Sequence, residues 1–355
     1  MRVLALMSGG VDSSATAYLL KKEGHEVVGA TLKLFELSKE GPGCCGSPRD
    51  VYDAKDCARM IGIPHYTLDE TEAFQKGVID VFKRSYEEGE TPNPCVECNR
   101  SMKFGPMLEL AESWGFDAVA TGHYARIGLN EDEKSLSLYR AHDERKDQSY
   151  FLYMLKDNQL SRILFPLGGL KKTEVRAIAE EAGLPTAQKA ESQEICFVGA
   201  MADGDYRNLL NHSDQAGPII EQRSGRVLGR HQGYFNYTIG QRGGLGVSVG
   251  EPLYVTAIDP AQKTVYVGAD DELLRSEISV ADISWVHGDA PGSRIPAQVK
   301  IRSKSPAVEA MIEARDGLTA MVRFNEPQRA PTPGQFAVFY DDVRVLGGGK
   351  ITHAR

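Results

Sequence analysis

Ser8-Gly9-Gly10-Val11-Asp12-Ser13-Ser14 lies between an apolar run, Val3–Met7, and a stretch of helical spacing from Ala15 to Glu23 that Gly24 ends. A strand, a glycine loop and a helix in that order suit an anion. The two glycines let backbone N–H groups close on phosphate oxygens, and the helix turns its positive end towards them. Ser13 and Ser14 are placed to cap the helix or donate to phosphate. Asp12 is placed to hold Mg²⁺ through water. The loop is neither Gly-x-x-x-x-Gly-Lys-Ser/Thr nor Gly-x-Gly-x-x-Gly, so it is not a Walker loop and a dinucleotide site is not expected. Without a lysine, it fits cleavage between the α and β phosphates, with the loop retaining pyrophosphate. A glycine turn capping an ordinary helix explains a lone Gly-Gly but not the whole heptad.

Outward from the loop, strand and helix signals alternate for about two hundred residues. Glu26–Leu34, His65–Leu68 and Ala118–Thr121 read as strands. Asp50–Ile61, Phe74–Tyr86, Met107–Trp114 and Leu170–Ala182 read as helices. That alternation implies a doubly wound parallel sheet wrapped by helices. After about Met201 the helical patterns stop. β-rich runs replace them at Leu253–Ile258, Thr264–Val267, Ala297–Arg302, Met321–Phe324 and Phe336–Tyr340. The expected organisation is an α/β domain over 1–202, a small central β-rich domain over 203–272 and a C-terminal β barrel over 273–355.

The 355 residues suffice for two or three domains, each with its own core. Apolar residues make up 41% and charged residues 25%, as in ordinary globular proteins. No stretch approaches the ~20 apolar residues that span a bilayer. Met1–Met7 is too short for a signal peptide, so a cytoplasmic protein with no membrane partner is expected. The net charge of −8 argues against a nonspecific nucleic-acid coat. Between Ala290 and Gln335, however, seven Arg/Lys face four acids, and the choice there lies between a phosphate-contacting patch and solvated strand faces. All six cysteines (Cys44, Cys45, Cys57, Cys95, Cys98 and Cys196) lie in the first 196 residues. That distribution suggests chemistry or metal in one domain of a reduced protein, not a disulfide scaffold. Cys57 lies on an apolar helix face and reads as core.

The heptad resembles that of the PP-loop pyrophosphatases, which adenylate carbonyl or carboxyl oxygens. Further segments narrow the likeness: Asn93-Pro94-Cys95-Val96-Glu97-Cys98-Asn99 leading to Lys103-Phe104-Gly105, then Ala120-Thr121-Gly122-His123-Tyr124, Lys146-Asp147-Gln148-Ser149-Tyr150 and Glu191-Ser192-Gln193-Glu194-Ile195-Cys196. With Tyr237–Gly240, Thr332-Pro333-Gly334-Gln335 and Leu346-Gly347-Gly348-Gly349, the chain resembles the bacterial tRNA-specific 2-thiouridylases over nearly its whole length. The resemblance implies an adenine nucleotide hydrolase-like fold for the first domain. It also implies ATP and Mg²⁺ as cofactors, tRNA of the Lys, Glu and Gln types as substrate, and a sulfur-donor protein, either a cysteine desulfurase or a sulfur relay.

Site residues carry over one by one. The resemblance places ATP on Leu6, Met7, Ser8, Gly9, Gly10, Val11, Asp12 and Ser13, with Leu32 packing on adenine and Gly122 close to it. Cys98 becomes the nucleophile and Cys196 the persulfide carrier. Asn93, Pro94 and Cys95 would meet the target base. His123, Lys146, Asp147, Gln148, Arg302, Ser303 and Gln335 would contact tRNA, although His123 also reads as a satisfied strand-end histidine. Ser303 replaces a more usual aromatic. The family pattern has aspartate where Cys95 stands. That departure leaves alternatives open: Cys95, Cys98 and Cys196 as ligands of a [4Fe-4S] cluster, or zinc on Cys44, Cys45, Cys95 and Cys98. The chemistry is coherent in itself, because a uridine C2 oxygen leaves readily only as an AMP ester. The incoming sulfur must be thiolate-like. Two readings from other classes are an amidating PP-loop ligase and a non-catalytic RNA-binding or Fe–S sensing protein.

Overall fold

The computed structural model describes residues 1–35, 48–130, 134–191, 195–199, 205–210, 215–247 and 250–355. In the N-terminal part, five parallel strands run β1 (Arg2–Leu6), β2 (Glu26–Lys33), β3 (His65–Asp69), β4 (Ala118–Ala120) and, after a hairpin of β5 (Ala125–Asn130) and β6 (Ser135–Arg140), β7 (Ile163–Leu164). Their order across the sheet is β3-β2-β1-β4-β7. The chain thus winds outward from β1 in one direction and then resumes on its other side at β4. The crevice between the carboxyl ends of β1 and β4 is a topological switch point, where open α/β sheets bind ligands.

Among the described residues, nine α-helical segments accompany these strands: α1 (Val11–Lys22), α2 (Pro48–Ile61), α3 (Thr71–Phe74), α4 (Asp80–Glu87), α5 (Pro94–Cys98), α6 (Pro106–Ser113), α7 (Asp157–Leu160), α8 (Lys172–Glu181) and α9 (Cys196–Gly199). Alternate residues of β1 face opposite layers, as strand geometry requires. Val3, Ala5 and Met7 pack with Ala17, Leu20, Ala54, Cys57, Ala58 and Ala179 of α1, α2 and α8. Leu4 and Leu6 pack with Phe104, Met107, Leu108 and Ala111 on the other face. Both faces are covered, so the doubly wound arrangement holds. Cys57 is wholly buried in the first of these layers, as its helix face suggested.

The expected helix Phe74–Tyr86 is not uniform. A π-helical stretch, Gln75–Ile79, separates α3 from α4, and a second, Asn99–Lys103, follows α5 directly. Gly77 lets the two meet, since a Cβ there would lie 3.1 Å from Ser101 Oγ.

Beyond the α/β part, β8 (Gly217–Glu221), β9 (Val227–His231), β10 (Tyr254–Asp259) and β11 (Thr264–Gly268) form a four-stranded sheet in the order β10-β11-β8-β9. The last six strands are β12 (Leu274–Trp285), β13 (Arg294–Lys300), β14 (Val308–Ala314), β15 (Ala320–Arg329), β16 (Phe336–Asp341) and β17 (Arg344–Ala354). Pairing of β12 with both β15 and β17 closes them into a barrel. Its interior holds Ile278, Trp285, Val299, Ile312, Val322 and Phe339. Strand β17 also pairs with β6, so the hairpin of the first part extends the barrel's sheet. Three of the seven cations between Ala290 and Gln335 are ion-paired: Arg294 and Arg323 with Glu313, Arg323 also with Glu277, and Arg329 with Asp270.

Candidate active site

The loop that opens α1 is built by backbone and hydroxyl contacts. Gly9 adopts φ +73°, and a Cβ there would strike the Asp50 carbonyl oxygen at 2.2 Å. Only glycine fits such a position without displacing α2. Gly10 is the N-cap, with no side-chain cap. Ser13 does not cap the helix from outside; its Oγ donates to Gly10 O at 3.1 Å and accepts from Ser8 N–H at 3.1 Å. Leu6, Met7, Val11 and Ser13 are buried, and Ser14 Oγ is buried without a protein partner. Gly122, just past β4, approaches the loop itself. A Cβ on it would lie 2.9 Å from both Asp12 C and Ser13 N. Leu32, at the end of β2, packs partly buried between two core clusters.

Asp12 is the electrostatic centre. Both its carboxylate oxygens accept from Lys172 Nζ at 2.7 Å, and Oδ1 also accepts from Tyr124 OH at 2.8 Å. Lys172 reaches Glu191 Oε1 at 2.9 Å, while Glu191 Oε2 takes Lys146 Nζ at 2.6 Å. Burial alone would raise the Glu191 carboxyl, but the two lysines outweigh it and bring it down to about 2. Burial and the neighbouring Asp12 carboxylate push the Tyr124 phenol far above its usual range, so it stays a donor. A second lysine, Lys189, donates to Gly9 O at 2.9 Å and to Asp50 Oδ1 at 2.6 Å, and also bonds Asp53. Partial burial opposes its charge, yet the two carboxylates hold it above the ordinary lysine range. Lys172, Lys189, Tyr124 and Asp50 escaped the sequence reading. They lie far from the loop in the chain; Tyr124 stands in a quoted motif but without a role, and nothing local marks the other three.

The cysteine segment is carried on α5. Asn93 is its N-cap and Pro94 its first residue, which suits a helix start. Cys95 is exposed and Cys98 buried. Cys98 belongs to an apolar cluster with Phe74, Phe82, Met102, Phe197 and residues of the central sheet, and Cys196 packs against the same cluster. The two thiols expected to act together are therefore neighbours of one core, and Leu32 touches it too. Asn99 fixes the helix end by donating Nδ2 to Phe151 O at 3.0 Å. Among the described residues no group of three or more His, Cys, Asp or Glu is placed to hold a metal ion. Cys95, Cys98 and Cys196 are in no such group, and Cys44 and Cys45 lie outside the described residues.

Several expected tRNA contacts have internal partners. His123 is buried against Phe104 and Phe165, with Nδ1 2.8 Å from Thr121 Oγ1. Burial, aided by Lys103, lowers its basicity well below the usual value. The satisfied strand-end reading describes it. Asp147 accepts from Ala141 N and Ser149 N and Oγ, and Gln148 accepts from Tyr124 N. Arg302 donates to Thr332 Oγ1 at 2.6 Å, Ala330 O at 2.9 Å and Ile239 O at 3.3 Å, tying the barrel to the central part. Ser303 beside it is partly exposed. Gln335 donates Nε2 to Thr91 O and Pro92 O, and so braces the segment that leads into α5.

Comparison with known proteins gives the family. Residues 1–200 match the family described as tRNA methyl transferase HUP domain. Residues 208–269 match its PRC-barrel domain, and 275–351 an aminomethyltransferase beta-barrel domain. A tRNA-specific 2-thiouridylase MnmA of Chloroflexus aggregans is 47% identical over 98% of each chain. That of Acidithiobacillus ferrooxidans is 45% identical over 99% of this chain and 98% of its own. That of Geobacter metallireducens is 46% identical over 99% and 97%. Among solved structures, a 4-thiouridine synthetase–RNA complex with bound ATP shares 21% identity and a TM-score of 0.38 over 56% of this chain and 45% of its own.

Proposed function

The chain belongs to the MnmA family of tRNA-specific 2-thiouridylases, and on that premise we propose that it is a tRNA sulfurtransferase that thiolates a tRNA uridine at the expense of ATP. The observation that carries the reading is the packing of Cys98 and Cys196 on one apolar cluster that also touches Leu32 of β2, the strand paired with the one that leads into the loop of Ser8–Ser14.

The loop's backbone and the start of α1 bind the phosphates, with Leu6–Ser13, Leu32 and Gly122 around the nucleotide. Asp12, partly exposed and at a helix N-terminus, fits Mg²⁺, which when bound neutralises phosphate charge. The C2 oxygen of the uridine attacks the α phosphorus, and pyrophosphate leaves. The terminal sulfur of a Cys196 persulfide then attacks C2 and expels AMP. The Cys98 thiolate attacks Cys196 Sγ, which frees 2-thiouridine and leaves a Cys98–Cys196 disulfide for an external dithiol to reduce. The apolar walls around the pair exclude water, which protects the persulfide and the adenylated base. Asn93, Pro94 and Cys95, at the mouth of α5, receive the base. A wobble uridine at position 34, flipped from the anticodon loop, suits a pocket of this kind. Lys146 and Ser303 remain proposed tRNA contacts. His123, Asp147, Gln148, Arg302 and Gln335 act by holding the surfaces that tRNA meets.

The finer proposal is tRNA of the Lys, Glu and Gln types, sulfur from a cysteine desulfurase or relay protein, and action in the cytoplasm. No helix among the described residues is long and apolar enough to cross a membrane. The proposed domain limits are 1–202, 203–272 and 273–355.

The test is direct. The protein, ATP, Mg²⁺, a sulfur donor and unmodified tRNA should yield 2-thiouridine and AMP. No thiolated nucleoside from the wild type sinks the reading. Thiolation surviving in Cys98→Ser or Cys196→Ser removes the cysteine roles.

A further inference from the structure

The cation that the loop lacks in sequence is supplied in space. Lys172 is the first residue of α8, and its side chain crosses to the loop. Its side chain is only 10% exposed, and its ammonium is held by three carboxylate oxygens, two from Asp12 and one from Glu191. Glu191 is itself fixed from the far side by Lys146. Asp12 therefore meets the loop already neutralised by a lysine.

We propose that Lys172 is the phosphate-binding cation of this site, reaching the β and γ phosphates by exchanging Asp12 for phosphate oxygens, and that Glu191 is the positioning residue that retains it. The proposal rests on the reading that the loop holds Mg²⁺ and ATP. Once the Asp12 carboxylate turns to a metal ion, Lys172 loses two of its three oxygen partners. An ammonium so little exposed is costly to leave half-paired. The arriving phosphates offer the replacement oxygens, in the stronger charge-assisted class of hydrogen bond. Glu191 does not follow the lysine, because Lys146 pins its second oxygen. Lys172 thus pivots about a fixed point instead of being released to solvent. Only ion pairs and hydrogen bonds are exchanged.

The experiment uses the full chain without tRNA. Titration calorimetry with Mg²⁺ compares α,β-methylene-ATP, which is not cleaved at the relevant bond, with AMP, which lacks the distal phosphates. Lys172→Gln is expected to weaken α,β-methylene-ATP binding at least about tenfold and leave AMP within about twofold. Glu191→Gln is expected to show the same selectivity at about three- to tenfold. Unchanged binding of α,β-methylene-ATP to Lys172→Gln overturns the assignment, and so does an equal loss of both nucleotides. Should Lys172→Gln fail to fold, Glu191→Gln decides alone by the same criterion. A wild type that binds the analogue but makes no 2-thiouridine refutes the thiolation reading and leaves this one standing. A wild type that does not bind the analogue overturns it.

Discussion

Two backbone clearances set the phosphate loop. Gly9 clears the Asp50 carbonyl and Gly122 clears the Asp12–Ser13 peptide, so the loop is gripped between α2 and the end of β4. A Gly122→Ala methyl would sit 2.9 Å from backbone atoms that have no rotamer to change, so the loop must shift. We expect this variant to bind ATP at least about tenfold more weakly, by titration calorimetry, while the cysteines keep their reactivity towards an alkylating reagent. Lys189 offers a second test at this scale. Asp50 is 3% exposed, and removing the Lys189 ammonium takes a charge-assisted hydrogen bond from its buried carboxylate. Lys189→Met should therefore cost about 1–3 kcal/mol in denaturant unfolding. The double variant with Asp50→Asn should recover part of that loss. A single variant as stable as the wild type refutes this role of Lys189 between Gly9, Asp50 and Asp53. Neither lysine of this site is legible in sequence. The heptad announces itself because its geometry is local, whereas Lys172 and Lys189 matter only once α8 and its following turn return across the sheet.

Elements were legible where one force dominated. The strand–loop–helix start, α2 and four of the five strands of the parallel sheet follow from apolar periodicity and glycine stops, whereas the two-residue β7 is too short to show a period. The β5–β6 hairpin did not, because its residues alternate only weakly and its partner strand, β17, lies two hundred residues away. The π turns beside Cys98 were hidden too, since π and α windings share one hydrophobic spacing over a single turn. They adjoin the cysteine helix, as π segments at functional sites often do. The helix is held from both ends. Asn99 grips Phe151 O, and Gln335 grips Thr91 O and Pro92 O from the barrel. Asn99→Ala should take the side-chain partner from a part-buried carbonyl and cost about 1 kcal/mol of stability. Gln335→Ala should lower thiolation several-fold while leaving the ATP dissociation constant unchanged, because it loosens the entry to α5 and not the loop. An equal effect on ATP binding would show that the brace acts elsewhere.

At the scale of the whole molecule, one hydrogen-bonded sheet runs from the β5–β6 hairpin into the barrel, and Arg302 and Gln335 add ties to the central part and to the cysteine segment. The barrel's place on the catalytic part is therefore built into the ladder. The same integration governs the response to acid. His65, His123 and His231 are all held below the ordinary histidine range, chiefly by burial. Their unfolded forms take up protons first, near pH ~6.5, while the folded forms resist. The stability they contribute is complete above that pH and is lost as pH falls towards their folded values. Glu191 behaves likewise in a lower window. Its contribution is present above an unfolded pKa of ~4.3 and lost as pH falls towards about 2. Two separate acid steps are therefore expected. The urea midpoint should fall between pH 7.5 and 5.5 through the histidines. His123→Gln, which keeps a polar partner for Thr121 and removes the titration, should make that fall shallower. A midpoint flat across this range, or a slope untouched in the variant, contradicts the assignment. Because His65 and His123 flank the parallel sheet and His231 ends β9, the loss should begin in the α/β and central parts. Amide exchange should then rise there before it rises in the barrel strands, which carry none of the three.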